Sequence, residues 1–337
     1  MAAYTTIDDP EAYFQVKTYT GNGTDDTAHT FDGDTDMQPD LVWIKNRDEA
    51  DDHCVFDSIR GATIHLPMNS TGGESTDADT LDSFTSDGFQ VDADVKVNTN
   101  TEKYVAWCWK ESAVSGFDMV GYTGNGSAAT VSHYLSAVPH LYIIRKRSGD
   151  TWMVYHHKNT DDPETDFLPL NDDEGTRDSN TRFNDTAPTS SVFSRGSDGG
   201  VCADGETFIT YLFSEKQGFS KFGHFNVASG DADGPFCYCG FRPAFIMVKS
   251  IVDGTNWCIV DNKRTPTNPC NEWSKANDSA AVFGPTNKGV GWDLLSNGFK
   301  VRNYNGDFND TSYDPYVWIA FAESPFVNSN GVPNNAR

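Results

Sequence analysis

The stretch Gly205–Glu215, GETFITYLFSE, decides the fold. Its alternate residues point to opposite faces, one aromatic and one mixed, so it predicts a β-strand that is at least half covered on both sides. Related stretches are EKYVAWCWKE at 102–111 and YVWIAFAE at 316–323. The three closing glutamates are separated by 104 and 108 residues. This period is too long for a solenoid repeat and suits a small domain.

Other markers recur at the same step. Each third of the chain begins with a strand that ends in a turn. A proline follows, then a run of apolar residues that ends in Lys or Arg, and then a short strand that would form a hairpin with this run. An unbroken apolar run predicts a strand buried on both faces. We expect the basic residue at its end to be exposed to solvent. The openings lie at 14–23, 117–126 and 219–230, the proline runs at 39–45, 139–145 and 243–249, and the partners at 53–57, 152–156 and 257–261.

These markers predict an all-β protein of three tandem β-sandwich repeats of about 100 residues, each jelly-roll-like or Greek-key-like. Aromatic residues make up 13% of the chain, and turn-forming residues separate the short apolar runs, as in β-rich proteins. The short junctions predict a rigid, packed array. The predicted organisation is an N-terminal arm (1–12), repeat 1 (13–113), repeat 2 (114–217), repeat 3 (218–326) and a polar C-terminal tail (327–337).

Long polar stretches follow the hairpin partners, at 69–82, 171–189 and 263–288. They are the parts in which the three repeats differ most. Loops on a common scaffold vary and often carry function, so we expect binding surfaces there.

Charge and cysteine content exclude several classes of protein. The chain has 337 residues and a formal net charge of −24, which argues against a nucleic-acid partner because phosphate contacts need clustered Lys and Arg. No apolar run is long enough for membrane insertion, and the N-terminus lacks the features of a signal peptide. Seven cysteines without a regular framework predict a chain made in a reducing cytosol.

One acidic turn is a candidate calcium site. Asp32, Asp34 and Asp36 alternate along the chain, and alternate carboxylates can converge on a hard cation such as Ca²⁺. The alternative is a solvated acidic turn, because the bidentate glutamate of an EF-hand is missing. No other cofactor is predicted.

Two tryptophans in the third repeat form a candidate ligand platform. Trp273 and Trp292 lie in or beside its loop region, where an exposed indole would stack on a sugar ring; the alternative is that both are core residues. No catalytic motif of a known hydrolase or phosphate-binding loop is present. We therefore predict that the chain is not an enzyme.

The repeats together resemble a family. The stretches 4–14 (YTTIDDPEAYF), 19–23 (YTGNG), 39–45 (PDLVWIK), 104–109 (YVAWCW) and 240–243 (GFRP) resemble an uncharacterised β-rich repeat domain found in virion proteins of marine tailed bacteriophages. This resemblance spans nearly the whole chain. It implies a virion structural protein of the kind filed as tail fibre or lectin-like adhesin, and no catalytic residues come with it.

The sequence therefore predicts a non-enzymatic virion structural protein, as a tail-fibre or receptor-binding component that contacts the host surface. The alternative is a capsid decoration or other virion assembly protein. A glycan-degrading tailspike is a third interpretation, but the short repeats of its usual parallel β-helix are not seen. The expected partners are other virion proteins, a host-surface glycan or receptor, and further copies of the chain in a homo-oligomer.

Overall fold

The computed structural model describes residues 3–227, 233–284, 291–302 and 305–335. These residues are nearly all β, which confirms the predicted fold class. The helices are single turns, α1 (Val95–Asn98) and α2 (Gly199–Cys202), and 3-10 turns lie at Pro10–Ala12, Pro163–Thr165 and Thr311–Tyr313. No helix of the described part is long and apolar enough to cross a membrane. Residues 13–113, 114–217 and 218–326 are named the first, second and third units.

The first unit consists of a large and a small antiparallel sheet. Its strands are β1 (Phe14–Thr20), β2 (Thr27–Thr30), β3 (Leu41–Asn46), β4 (Cys54–Asp57), β5 (Gly61–Pro67), β6 (Ser75–Thr76), β7 (Leu81–Thr85), β8 (Gly88–Val91) and β9 (Lys103–Trp109). The large sheet has the order β1-β9-β3-β4-β5-β6, and the small sheet has the order β2-β8-β7.

The second unit has the same order in its large sheet. Its strands are β10 (Phe117–Thr123), β11 (Ala129–Ser132), β12 (Leu141–Lys146), β13 (Met153–His156), β14 (Asp166–Pro169), β15 (Arg177–Asp178), β16 (Val192–Arg195) and β17 (Thr207–Phe213). The large sheet is β10-β17-β12-β13-β14-β15, and β11 pairs with β16 in the small sheet.

The third unit also consists of a large and a small antiparallel sheet. Its strands are β18 (Ser220–Phe225), β19 (Phe236–Tyr238), β20 (Phe241–Ser250), β21 (Cys258–Asp261), β22 (Ser274–Lys275), β23 (Trp292–Leu295), β24 (Gly298–Val301) and β25 (Tyr316–Pro325). The large sheet is β18-β25-β20-β21-β22, and the small sheet is β19-β24-β23. The large sheets thus share one strand order, with five described strands in the third unit and six in each of the others. That the units are tandem repeats stays a prediction.

The deciding stretch forms β17, which lies between β10 and β12. Residues 208–213 of this strand are all buried, as the sequence predicts for a strand covered on both faces. The corresponding strands, β9 and β25, are also next to the edge strand of their sheets. Their registers agree across the units, because the aromatic residues Trp109, Phe213 and Phe321 pair with Leu41, Leu141 and Phe245.

One face of each of the first two large sheets packs on its small sheet. In the first unit, Ile44 and Ala106 of the large sheet share a buried apolar cluster with Phe89 and Val91 of the small sheet. In the second unit, residues such as Tyr142 and Phe193 form the equivalent cluster. In the third unit, Phe299 of the small sheet packs against Trp318 of the large sheet, so each unit is β-sandwich-like. All seven cysteines are buried and free, so apolar packing holds these layers together without disulfides.

The other faces of the large sheets meet in one shared core. Trp107 of the first unit, Tyr211 of the second and Ile319 of the third belong to the same buried cluster. At its centre is an apolar cavity of about 40 Å³, lined by Leu41, Leu141 and other residues of all three units. The units therefore surround a common interior and do not form an open row.

Two sets of hydrogen bonds join the units in a closed cycle. In the first set, the loop after the hairpin of one unit donates a backbone N–H to the next unit: Glu74 to Arg147 (2.7 Å), Thr176 to Ile251 (2.8 Å) and Val282 to Arg47 (2.9 Å). In the second set, the last residue of β4, β13 or β21 bonds the closing strand of the next unit, which is β17, β25 or β9, respectively. Asp57 bonds the Tyr211 hydroxyl (2.7 Å), His156 the Trp318 carbonyl (3.2 Å) and Asp261 the Trp107 indole (3.1 Å). The third unit closes on the first.

The base that follows each proline run does not reach solvent, so that prediction was wrong. Lys45, Arg145 and Lys249 are fully buried. Lys249 Nζ donates to the carbonyl oxygens of Thr255 (2.8 Å) and Asp173 (3.2 Å). Burial lowers the pKa of Lys45 and of Lys249 to about 8. The carbonyls that replace water come partly from a neighbouring unit, which a local pattern does not reveal.

The opening of the third unit is shifted by one residue from the predicted alignment. Ser220, and not Phe219, pairs with Phe321 in the way that Phe117 pairs with Phe213. Phe225 then stacks on Tyr316, as Tyr122 stacks on Phe208. His224, which the sequence pattern placed at the tyrosine position, is left exposed.

Candidate functional site

The candidate calcium ligands lie on an exposed turn. Asp32, Asp34 and Asp36 are all exposed, and Asp32 lies 3.3 Å from the ammonium group of Lys263. Among the residues that the structure describes, no group of three or more His, Cys, Asp or Glu side chains is arranged to hold a metal ion. The structure thus does not bring the three carboxylates together, and calcium binding stays a prediction.

The two candidate platform tryptophans lie in the core of the third unit. Trp273 is only 4% exposed and stacks on Phe283 at a centroid distance of 4.4 Å. Trp292 is fully buried and lies against Phe299 and Phe308. Neither presents a ring face to solvent, so the core alternative of the sequence analysis describes them.

A different surface has the character of a binding site. Where the second and third units meet, three depressions of about 390, 490 and 360 Å³ adjoin each other and share lining residues. We name this surface the Tyr238 groove. It is lined by His157, Lys158 and Glu215 from the second unit, Lys221, Gly223 and His224 from β18, and Phe236, Tyr238 and Trp318 from the rest of the third unit.

The groove follows β18, which is an edge strand of its sheet. An edge strand leaves backbone groups that need other partners. Here the second unit supplies them, since His157 Nε2 bonds the carbonyl of Phe222 (2.8 Å) and Glu215 accepts from the Phe222 amide (2.9 Å). The contact between two units therefore fixes the position of the strand that lines the groove.

A buried tryptophan lies beneath the floor of the groove. Trp318 is only 3% exposed, and its Nε1–H has no hydrogen-bond partner among the described residues. Gly223 pairs with it across the sheet, and a Cβ at this glycine would lie 2.9 Å from the indole nitrogen. In the second unit the corresponding pair is Val120 and Thr210. A bare indole beneath a glycine is thus a feature of the third unit.

Two aromatic side chains form one wall. Phe236 is 46% exposed and Tyr238 is 47% exposed, and both lie on the outer face of β19. The Tyr238 hydroxyl is 3.2 Å from the hydroxyl of Tyr4 in the N-terminal arm. The ammonium group of Lys221 lies 5.6 Å from the centre of the Tyr238 ring, a cation–π distance. These contacts hold the exposed tyrosine in place.

The groove is less acidic than the chain as a whole. Among the described residues, Lys158 and Lys221 have no carboxylate partner within 4 Å. Glu215 and Asp161 are the carboxylates that line it. Burial opposes ionisation of Glu215, but hydrogen bonds from His157 and from a backbone amide lower its pKa overall. Glu215 is therefore ionised and internally satisfied, which leaves the two lysines free for a ligand.

The sequence contained one signal that pointed to this groove. Tyr134 and Tyr238 both precede the proline of their unit by five residues, at Pro139 and Pro243, and Tyr134 is 82% exposed. A recurring exposed tyrosine at a strand end favours a surface role. The sequence analysis did not single out Tyr238, and the two cysteines that flank it, Cys237 and Cys239, are buried.

The arrangement offers binding chemistry. Exposed aromatic faces can stack on an apolar ring face, while ammonium groups can orient polar substituents. Within the described residues, no metal-ligand cluster lies in or near the groove.

Comparison with known proteins gives a family but no activity. A family model described as "Domain of unknown function (DUF7483)" matches residues 9–325, which is nearly the whole chain. No curated protein and no solved structure matches the chain.

Proposed function

We propose that this chain, which belongs to the DUF7483 family, is a non-enzymatic structural component of a tailed bacteriophage particle. Its place is the tail-fibre or receptor-binding apparatus, where it contacts the host surface. Other virion proteins and further copies of the chain are its expected assembly partners.

The Tyr238 groove is the observation that carries this proposal. A receptor-binding component needs an exposed aromatic surface with polar groups around it, because such surfaces recognise sugars and proteins. Phe236 and Tyr238 provide that surface, and Lys221 and Lys158 lie beside it. The groove lies at a contact between units and not in the long polar stretches, where the sequence analysis expected binding.

The closed cycle of units supports a structural role. Hydrogen bonds of 2.7–2.9 Å join successive units at corresponding places, and the sheets share one apolar core. A surface fixed by such a body keeps its geometry while a particle adsorbs to a cell. The resemblance to virion repeat domains is the separate, sequence-based support.

Capsid decoration is a second candidate, and it predicts an ordered N-terminal arm. Such an arm is typical of proteins that dock on neighbouring subunits. Here Thr5 Oγ1 donates to Gln217 (2.7 Å), Tyr4 donates to Gly240 (2.8 Å), and Ile7 is buried in the shared core. The arm thus binds its own chain, and its role in this structure is to close the molecule.

Immunogold electron microscopy of intact particles tests the proposal. Antibody against the purified chain should label the tail tip or the fibres of phage particles that encode it. Label spread over the head would overturn the receptor-binding proposal and support decoration. Purified particles without label would overturn the virion assignment itself.

A further inference from the structure

The geometry of the Tyr238 groove points to a specific class of ligand, an anionic saccharide that bears carboxylate or sulfate groups. We infer that its sugar ring stacks on Tyr238 and that Lys221 and Lys158 bind its anionic groups. This inference rests on the proposed function for the source of the saccharide, which is the host-cell surface.

The stacking part follows from exposure and restraint. A tyrosine that keeps about half of its surface in water would normally move between rotamers, and its immobilisation on binding costs free energy. Tyr238 is held between the hydroxyl of Tyr4 and the ammonium group of Lys221. Because the ring is already fixed in the free protein, a ligand that stacks on it loses little free energy to ordering.

The preference for negative charge follows from two lysines in a chain of net charge −24. Most basic side chains near acidic neighbours form ion pairs, as Lys263 does with Asp32. Lys158 and Lys221 lack such partners in the described part of the chain, yet both line the same groove. Of the two carboxylates that line the groove, Glu215 accepts from the Phe222 amide and lies 3.6 Å from His157 Nε2. An anionic ligand would therefore meet positive groups that no internal carboxylate neutralises.

The third unit differs from the other two beneath the groove. There the buried Trp318 lies against Gly223, whereas the corresponding pair is Lys17 and Ala106 in the first unit and Val120 and Thr210 in the second. We therefore expect one saccharide site per chain and not three.

The second unit also provides a matched control. Tyr134 occupies the position of Tyr238 relative to the proline of its unit and is 82% exposed. Asp118 lies beside it, since its carboxylate accepts from the Tyr134 amide. A tyrosine next to a carboxylate has the aromatic face without the positive charge. Tyr134→Ala therefore removes a more exposed tyrosine ring that lies outside the proposed site.

Isothermal titration calorimetry of the full chain tests the inference. The probes are a galacturonic acid hexamer, a chondroitin sulfate hexasaccharide and neutral maltohexaose. We expect at least one anionic probe to bind, with an affinity that falls as salt rises. Tyr238→Ala and Lys221→Ala should each weaken binding by about tenfold or more, which is ~1.4 kcal/mol. Tyr134→Ala should change it less than about twofold, and an unchanged melting temperature shows that the variants fold.

The possible outcomes separate the two proposals. Equal binding of maltohexaose, or equal losses in Tyr134→Ala and Tyr238→Ala, would overturn the anionic-saccharide site. Absence of binding by all three probes would also overturn it. Neither result changes where antibody labels the particle, so the position on the virion is decided independently.

Discussion

At the scale of single residues, corresponding buried polar groups join the units. Asp57 and Asp261 each hold an arginine of their own hairpin, Arg60 and Arg264, at 2.5 and 2.6 Å, with all four side chains fully buried. Each carboxylate also accepts from an aromatic donor of another unit. In the second unit, His156 has the corresponding place and bonds the Trp318 carbonyl. Each of these residues therefore links the interior of one unit to the closing strand of another.

Asp57→Ala tests the contribution of this position. The substitution leaves the Arg60 guanidinium buried without its carboxylate and removes the partner of the Tyr211 hydroxyl. We expect the free energy of unfolding to fall by about 3–5 kcal/mol, since a buried charge without its partner is strongly destabilising. Urea unfolding followed by tryptophan fluorescence measures it. The control is Glu174→Ala, which breaks a half-exposed pair with Arg177 and should cost less than about 1 kcal/mol. Equal effects would show that the buried pair is not structural.

His156 should make the protein less stable in acid. Burial lowers the pKa of His156 to about 3, whereas an unfolded histidine titrates near 6.5. Between these values the unfolded chain binds more protons than the folded chain, so the free energy of unfolding falls as pH falls. His29 acts in the same direction because burial lowers its pKa to about 4. Glu111 opposes them, since burial raises its pKa to about 7.

His156→Gln isolates this contribution. An amide can still donate to the Trp318 carbonyl but does not titrate. We expect the free energy of unfolding of this variant to fall less steeply between pH 6.5 and 4, by up to about 1.4 kcal/mol per pH unit. Urea unfolding at several pH values gives both slopes. Identical slopes for the variant and the parent chain would contradict the buried, neutral histidine.

At the scale of elements, the long polar stretches lie at the contacts between units, and we name each of these contacts a seam. The sequence analysis expected binding loops at 69–82, 171–189 and 263–288, of which 285–288 lie outside the described residues. Glu74, Thr176 and Val282 in these stretches donate backbone hydrogen bonds to a neighbouring unit. The three stretches differ in sequence, and each of them contacts a different neighbouring unit. Truncating them to test adsorption would confuse loss of binding with loss of structure.

Gly175→Ala tests one seam. A Cβ at Gly175 would lie 2.4 Å from the carbonyl oxygen of Ile251 and 2.6 Å from the backbone of Val252 in the third unit. The seam must open to admit the methyl group, and we expect the free energy of unfolding to fall by about 1–3 kcal/mol. Chemical unfolding of the purified variant measures it.

Gly199→Ala is the matched control for that seam. A Cβ at Gly199, the first residue of α2, would meet nothing within 4 Å. Alanine is the better helix former, so this variant should be neutral or slightly more stable. If Gly175→Ala behaves in the same way, the close approach of the second and third units is not important for stability.

At the scale of the whole molecule, three similar sheets enclose one core, and the termini meet. The arm residue Asp8 accepts a hydrogen bond from the Ser329 amide of the tail at 2.6 Å. The arm and tail therefore lie against each other beside the third unit. The Tyr238 groove lies on the same unit, and Tyr4 of the arm contributes to it, so closure of the chain and formation of the groove are linked.

Sequence patterns predicted the elements better than their contacts. The central strands and hairpin partners were recognisable because the apolar runs beginning at Leu41, Leu141 and Phe245 follow a short-range rule of burial. The buried positions of Arg145 and Lys249 were missed, because each donates to a carbonyl of a neighbouring unit, at Gly72 and Asp173. The groove was missed for the same reason. Gly223 and Trp318 are 95 positions apart in the sequence, and only strand pairing brings them together.

Differential scanning calorimetry of the full chain tests most directly whether the three units form one closed body. Since they share a core and a complete cycle of hydrogen bonds, we predict one unfolding transition with a ratio of calorimetric to van't Hoff enthalpy of about 1. Three independent sandwiches of similar size would instead unfold in separate transitions, or in one broad transition with a ratio of about 3. That result would contradict the closed body and remove the structural basis of the Tyr238 groove.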